Sequence, residues 1–171
     1  MTLRQIVESE KSISVEVVWT QRDQSEDNYV RCYVPLDLHG VTQTTLILKV
    51  GTYANRPDQH VTFELALNDQ VTNRDIKLMR VDWRDLRGGH SNSRKACKGL
   101  GRRVRDTHIH DFEMNYNEAE DRMRRGKLPC ASDVPELLES FEQLRRFVGR
   151  RFKINNIEVV PLPNWEYELD L

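Results

Sequence analysis

Three histidines, His90, His108 and His110, are the side chains of this 171-residue chain best suited to chemistry. His108 and His110 sit one residue apart in a segment, residues 107–116, whose alternation reads as a strand. Strand side chains repeat every two residues, so both imidazoles are expected on one side, roughly 7 Å apart. Rings so placed suit an acid and base pair, because imidazole gains and loses its proton near neutrality. They equally suit a metal, given a third ligand. Asp111 and Glu113 alternate to the opposite side, so a carboxylate ligand would have to come from elsewhere. Cys97 and Cys130 form no finger spacing with the histidines. The expectation is therefore no metal and no cofactor. Two histidines on a half-exposed sheet face can also be chemically idle.

The second constellation precedes the first. Residues 87–105 contain Arg87, Arg94, Lys95, Lys98, Arg102, Arg103 and Arg105 and no acid. Gly88, Gly89, Gly99 and Gly101 are interleaved with them, in a spacing that matches no phosphate-cradling loop. The stretch reads as a flexible basic loop able to follow a phosphate backbone, with counterion release at each contact. His90 and Asn92 add polar groups that would orient a phosphate. Asn92, Arg94, Lys95, Lys98, Arg102, Arg103 and Arg105 are the expected binding residues. The same loop would fit an acidic protein surface or be a solvated insertion.

The rest of the chain must position these groups. Its hydrophobic content of 38% and charged content of 31% suit one polar globular domain spanning residues 1–171. The net charge is −1, so nucleic-acid binding would have to come from segregated patches. Three dispersed cysteines, Cys32, Cys97 and Cys130, suggest unpaired thiols in a reducing compartment. The acidic N-terminus does not read as a signal peptide, and no apolar run approaches membrane-spanning length. A cytoplasmic protein with no membrane contact is expected.

In chain order, residues 2–9 suggest a short helix capped by Thr2. Residues 12–20, 29–35, 44–53, 60–67 and 75–83 alternate as strands joined by short turns, with a polar turn over 21–28 and a bulge at Gly51. Residues 107–116 make a sixth strand, and 117–127 a charged loop or frayed helix. A helix is predicted from Ser132 or Asp133, with an apolar stripe through Val134, Leu137, Leu138, Phe141, Leu144 and Val148 and a cap at Gly149. Residues 157–160 read as a strand, and the tail 161–171 as lying back on the sheet through Trp165, Tyr167 and Leu169. The fold class is α+β: an antiparallel meander of about six strands covered by one main C-terminal helix.

The string around His108 and His110 looks like the metal-binding strand of the amidohydrolase superfamily, but too little chain follows it for that barrel. His90-Ser-Asn92 followed by His108-Ile-His110 and a helix resembles, over roughly residues 76–160, a small bacterial family of unknown function. That family's neighbourhoods suggest mobile-element or phage-defence roles, which would imply a toxin or nuclease. The basic segment 94–105 and the arginines after Tyr116 depart from its pattern.

The sequence thus suggests an RNA-directed protein, RNA being favoured over DNA. Its sharpest form is a metal-independent endoribonuclease of toxin or phage-defence type. His108 and His110 would exchange protons with the 2′-hydroxyl and the leaving oxygen. Arg102, Arg103 and Arg105 would stabilise the phosphorane, with His90 or Asn92 orienting it. The alternatives are a non-enzymatic inhibitor that binds a protein partner in a phage–host conflict, and a nucleic-acid-binding module without catalysis.

Overall fold

A computed structural model describes residues 1–20, 28–117 and 121–168. Except for Asn28, the turn expected over 21–28 lies outside these residues, as does Leu169 of the tail. Four long strands form the frame: β2 (Tyr29–Leu38), β3 (Val41–Tyr53), β4 (Val61–Asp69) and β5 (Arg74–Trp83). They pair antiparallel in sequence order, as short turns between alternating segments require. A two-residue strand, β1 (Lys11–Ser12), flanks β2. Beyond β5 come β8 (His108–His110) and β9 (Ser132–Asp133), which make a seven-stranded antiparallel sheet.

Between β5 and β8 the chain makes a hairpin of its own, β6 (His90–Ser91) with β7 (Arg103–Val104). Its base turns sharply at Gly89, whose φ is +119°, where a side chain would collide with the Val104 carbonyl.

Register gives the sheet two unlike faces, because directly opposed residues point the same way. On one face Val30 and Cys32 stand beside Leu48 and Val50, Phe63 and Leu65, Met79 and Val81, and Ile109, all buried. The helix α4 (Phe141–Phe152) packs here, with Phe141 against Phe63 and the Trp83 indole donating to the Leu138 carbonyl. Burying one such side chain contributes about 1.5–3 kcal/mol, so this face carries the stability. The other face is polar: Tyr29, Arg31 and Tyr33, then Lys49 and Gly51, Thr62 and Glu64, Arg80 and Asp82, and finally His108 and His110.

Several expectations are corrected. Residues 13–20 alternate in burial, Ile13 and Trp19 inward, yet only Lys11 and Ser12 join the ladder. Ser132 and Asp133 pair with β8 as a strand, and the helix begins at Phe141. Ser140 caps it by accepting from the Gln143 amide, and Leu137 is exposed. The helix also runs past Gly149, which lies inside it against Ile157, and ends at Lys153 in the left-handed region. Residues 157–159 form a 3₁₀ turn (Ile157–Val159) in place of a strand. The sixth strand stops at His110. Asp111 stands at the N-cap position of the one-turn helix α2 (Phe112–Asn115), without a side-chain capping bond, so the expected alternation through Met114 is absent. A second one-turn helix, α3 (Asp121–Arg124), follows.

Gly51 carries no bulge. It leaves room for the Tyr29 ring, and the register shifts lie at Pro35/Leu36 and Leu65/Ala66. The short N-terminal helix α1 (Leu3–Glu8) and its Thr2 cap form as expected. The tail lies back on the sheet through Trp165 and not through Tyr167: Trp165 is buried against Phe141 and its indole donates to Thr52, whereas Tyr167 is exposed.

Candidate functional site

The histidines converge with a residue that the sequence did not single out. Across the β5–β8 pair, His108 stands opposite Asp82 and His110 opposite Arg80. The Asp82 carboxylate lies between the rings: its Oδ2 is 3.3 Å from Nε2 of His108 and 3.6 Å from Nε2 of His110. Its Oδ1 accepts from the Thr62 hydroxyl at 2.8 Å and from Nε and Nη2 of Arg80 at 3.0 and 2.8 Å. His90 comes over from the hairpin, its ring centroid 4.8 Å from that of His110 and 5.9 Å from that of His108. The carboxylate that the His-x-His lacked is thus supplied by the neighbouring strand. A signal was present in the sequence, since Arg80 and Asp82 break an otherwise apolar central strand on one face.

The cluster is dry. His108 and His110 are 1% and 5% exposed, and Asp82 is 2%. Burial alone would raise the Asp82 carboxyl, but His108, Arg80 and Thr62 outweigh it and hold it well below the usual carboxylate range. Burial works against a charged His108, yet the Asp82 carboxylate, 3.3 Å from its Nε2, prevails and raises its pKa. For His110 burial prevails over the attraction of Asp82, with His108, Arg80 and His90 adding to it, and pushes the ring down to about 4.

The basic segment is an ordered structure where a flexible loop was expected. Four contacts fasten it to residues 129–131. Nε2 of His90 meets the Pro129 carbonyl at 2.7 Å, and Cys97 forms a disulfide with Cys130. The Asn92 amide donates to the Ala131 carbonyl at 2.8 Å, and its Oδ1 accepts from the Ala131 N–H at 2.9 Å. Asn115 holds the other side of this seat, bonding both the N–H and the carbonyl of Cys130.

Asn92, expected to contact substrate, is therefore buried and committed to holding the hairpin. The disulfide also corrects the expectation of three unpaired thiols. The fold brings the Cα atoms of Cys97 and Cys130 to 5.5 Å across 33 residues of chain, which spacing alone could not show. Cys32 remains a free, buried thiol. The reducing-compartment inference thereby loses its basis, and among the described residues no helix is long and apolar enough to cross a membrane.

Arg94, Lys95, Lys98, Arg102, Arg103 and Arg105 are all exposed on this hairpin. Among the described residues only Arg105 of the six faces a carboxylate, Asp133 at 3.6 Å.

A cleft of about 630 Å³ opens on the polar face beside the cluster, lined in part by Arg31, Arg56, Arg80, Arg87, Tyr29, Tyr53 and Thr62, with no carboxylate among its lining residues. Tyr29 and Tyr53 meet edge to face at 4.9 Å, and the Arg31 guanidinium sits 4.8 Å over the Tyr29 ring. Arg80 and Thr62 belong to both cleft and cluster. Arg87, held by Asp85, marks where the cleft meets the hairpin. Of these groups only Arg87 belongs to the predicted basic segment. Sheet register, which pairs residues distant in sequence, assembles the rest.

The chain matches no family model, no curated protein and no solved structure.

Proposed function

We propose that this protein binds single-stranded RNA across the polar face of its sheet and along the basic hairpin. One observation carries the reading. Five of the hairpin's cations, Arg94, Lys95, Lys98, Arg102 and Arg103, are exposed and face no carboxylate among the described residues, on a backbone that is already ordered. A rigid cationic ridge loses little entropy on meeting a phosphate chain, and each contact releases counterions.

The adjoining cleft supplies what a single strand adds to its phosphates. Tyr29 and Tyr53 in the cleft, and the 58%-exposed Tyr33 on the adjoining sheet face, offer aromatic surfaces for unstacked bases, with Arg31 and Lys49 beside them. Asn28, Asn55 and Thr62 offer hydroxyl and amide partners for a ribose 2′-hydroxyl. An isolated basic patch would favour an acidic protein equally; base-stacking surfaces beside it favour nucleic acid.

Binding is better supported than cleavage by His108 and His110. A general acid and base must reach the atoms they serve. Both rings lie beneath the hairpin, so a strand on the outer surface meets arginines and tyrosines first.

Fluorescence anisotropy with single-stranded RNA, the matching DNA and duplex RNA, each across a salt series, tests the reading. Single-stranded RNA should bind tightest, with affinity falling steeply with salt and with no shortened product. Equal affinity for all three, or no salt dependence, would overturn it. Shortened product that disappears in His108→Ala and His110→Ala would establish the paired-histidine nuclease instead.

A further inference from the structure

The hydrogen bonding around Asp82 is incomplete in a directional way. Oδ1 is saturated by Thr62 and Arg80, whereas Oδ2 is buried with no hydrogen-bond partner among the described residues. Nδ1 of His110 is likewise buried and unpartnered. Nδ1 of His108 lies 2.8 Å from the Arg105 carbonyl. A carbonyl only accepts, so Nδ1 carries a proton, and in the neutral ring it is the lone pair of Nε2 that faces Oδ2. One donor atom each from Asp82, His108 and His110 can be drawn so that all lie within 4.8 Å of one another. Converging lone pairs in a buried setting are relieved by a cation, either a proton on Nε2 of His108 or a metal ion.

The spacing is that of metal ligands. Bonds of roughly 2.0–2.1 Å in tetrahedral geometry put neighbouring ligand atoms about 3.3–3.4 Å apart. The two carboxylate-to-imidazole separations are 3.3 and 3.6 Å, and all three donor atoms fall within 4.8 Å, so the imidazoles would close in slightly on an ion.

We propose that Oδ2 of Asp82, Nε2 of His108 and Nε2 of His110 form a binding site for one divalent first-row transition ion of the zinc type. Two imidazoles and one carboxylate give too few oxygens for calcium or magnesium and match zinc and its neighbours. The surroundings are those that orient ligands: a ring N–H of His108 donated to a backbone carbonyl, and the far oxygen of the carboxylate fixed by Thr62 and Arg80. His90 is the nearest further donor. Its Nε2 donates to the Pro129 carbonyl, so Nδ1 is the nitrogen that could accept, in a ring whose centroid is 4.8 Å from that of His110. An ion here would tie β5, β8 and the hairpin base together, and it would bind with no RNA present.

The 171-residue, disulfide-intact protein, stripped with a chelator and dialysed, is titrated with zinc chloride by calorimetry and with cobalt chloride by visible absorption. Elemental analysis then gives the stoichiometry. One equivalent should bind, cobalt should give the intense absorption of a four-coordinate site, and zinc should raise the thermal midpoint. Asp82→Asn, His108→Gln and His110→Gln should each weaken binding about 100-fold or more, since even outer partners of ligands are worth about 10–100-fold. Substitution of the surface residue His39 by Gln should change nothing.

Where a variant loses its far-UV dichroism, the wild-type histidine ring resonances decide the matter: zinc should shift those of His108 and His110. The proposal fails if the stripped wild type takes up no zinc at micromolar concentration. It also fails if folded ligand variants keep wild-type affinity, or if the zinc-shifted rings are others.

Discussion

Oδ2 of Asp82 lies 3.3 Å from Nε2 of His108, and the two residues are directly opposed in the β5–β8 ladder. One carboxylate thereby connects β5, the His-x-His strand β8 and, through Arg80, the wall of the arginine cleft. Asp82→Asn removes the charge while keeping the shape, and leaves the Arg80 guanidinium without its counter-charge and the buried His108 ring without the carboxylate beside its Nε2. Breaking one partner of such an arrangement costs about 3–5 kcal/mol. Urea denaturation of Asp82→Asn beside wild type should show that loss, and a change below about 1 kcal/mol would mean that the site is wetter than its burial indicates.

The hairpin cations give a second prediction. The triple variant Arg94→Glu, Lys95→Glu, Lys98→Glu should weaken single-stranded RNA binding while leaving the thermal midpoint unchanged, because these side chains are exposed. Each phosphate contact on a single strand contributes about 0.7 to the slope of log affinity against log salt. The variant's slope should therefore be shallower by about 2, measured by anisotropy.

The stacking surface is tested through a residue that makes no contact of its own. The Tyr29 ring lies across Gly51, and a methyl group there would meet the phenol. Gly51→Ala should push Tyr29 out of the cleft and reduce RNA affinity, by up to about 1–3 kcal/mol if one base stacks on that ring. Tyr29→Ala should give a similar loss, and the double variant little more.

The cysteines can be counted by thiol titration. The folded protein should show no rapidly reacting thiol, since Cys97 and Cys130 are bonded and burial pushes the Cys32 thiol up to about 12. Denaturation without reductant should expose one thiol, and reduction three. Cys97→Ser should cost about 2–4 kcal/mol by loosening the unfolded-state constraint, and it should free the hairpin from residues 129–131.

Lys11 gives a pH dependence. Its ammonium is buried among the carbonyls of Val7, Ser9 and Phe152, and burial pushes it down to about 8. In the unfolded chain it keeps the ordinary lysine value of about 10.4. Between these values the unfolded chain holds more protons, so stability from this group rises as pH increases through about 8 to 10. Urea midpoints at pH 7.5 and 9.5 should rise for wild type relative to Lys11→Met, which lacks the group.

What could be read without coordinates was what depends on near neighbours in the chain. Alternation across Val61, Phe63 and Leu65, or Val30, Cys32 and Val34, gave the strands and their antiparallel order. Short turns leave little other choice. The Thr2 cap was equally local. The C-terminal helix was misplaced because Val134 and Leu138 keep helical spacing with Phe141 while lying in the non-helical approach to it. Ser140 with Gln143 three residues on was the better start signal.

The site itself depended on contacts that no spacing encodes. His108 and His110 stood out as a pair, but their partner Asp82 comes from another strand by register. The arginine cleft gathers residues from four strands and the turns between them. The basic segment was visible as composition, and composition says nothing of order. That it is a pinned hairpin follows from Asn92, His90 and Cys97 meeting residues 129–131. Local pattern settles backbone conformation because neighbouring residues compete for the same hydrogen bonds. Only the packed tertiary structure decides which distant charges share a dry space.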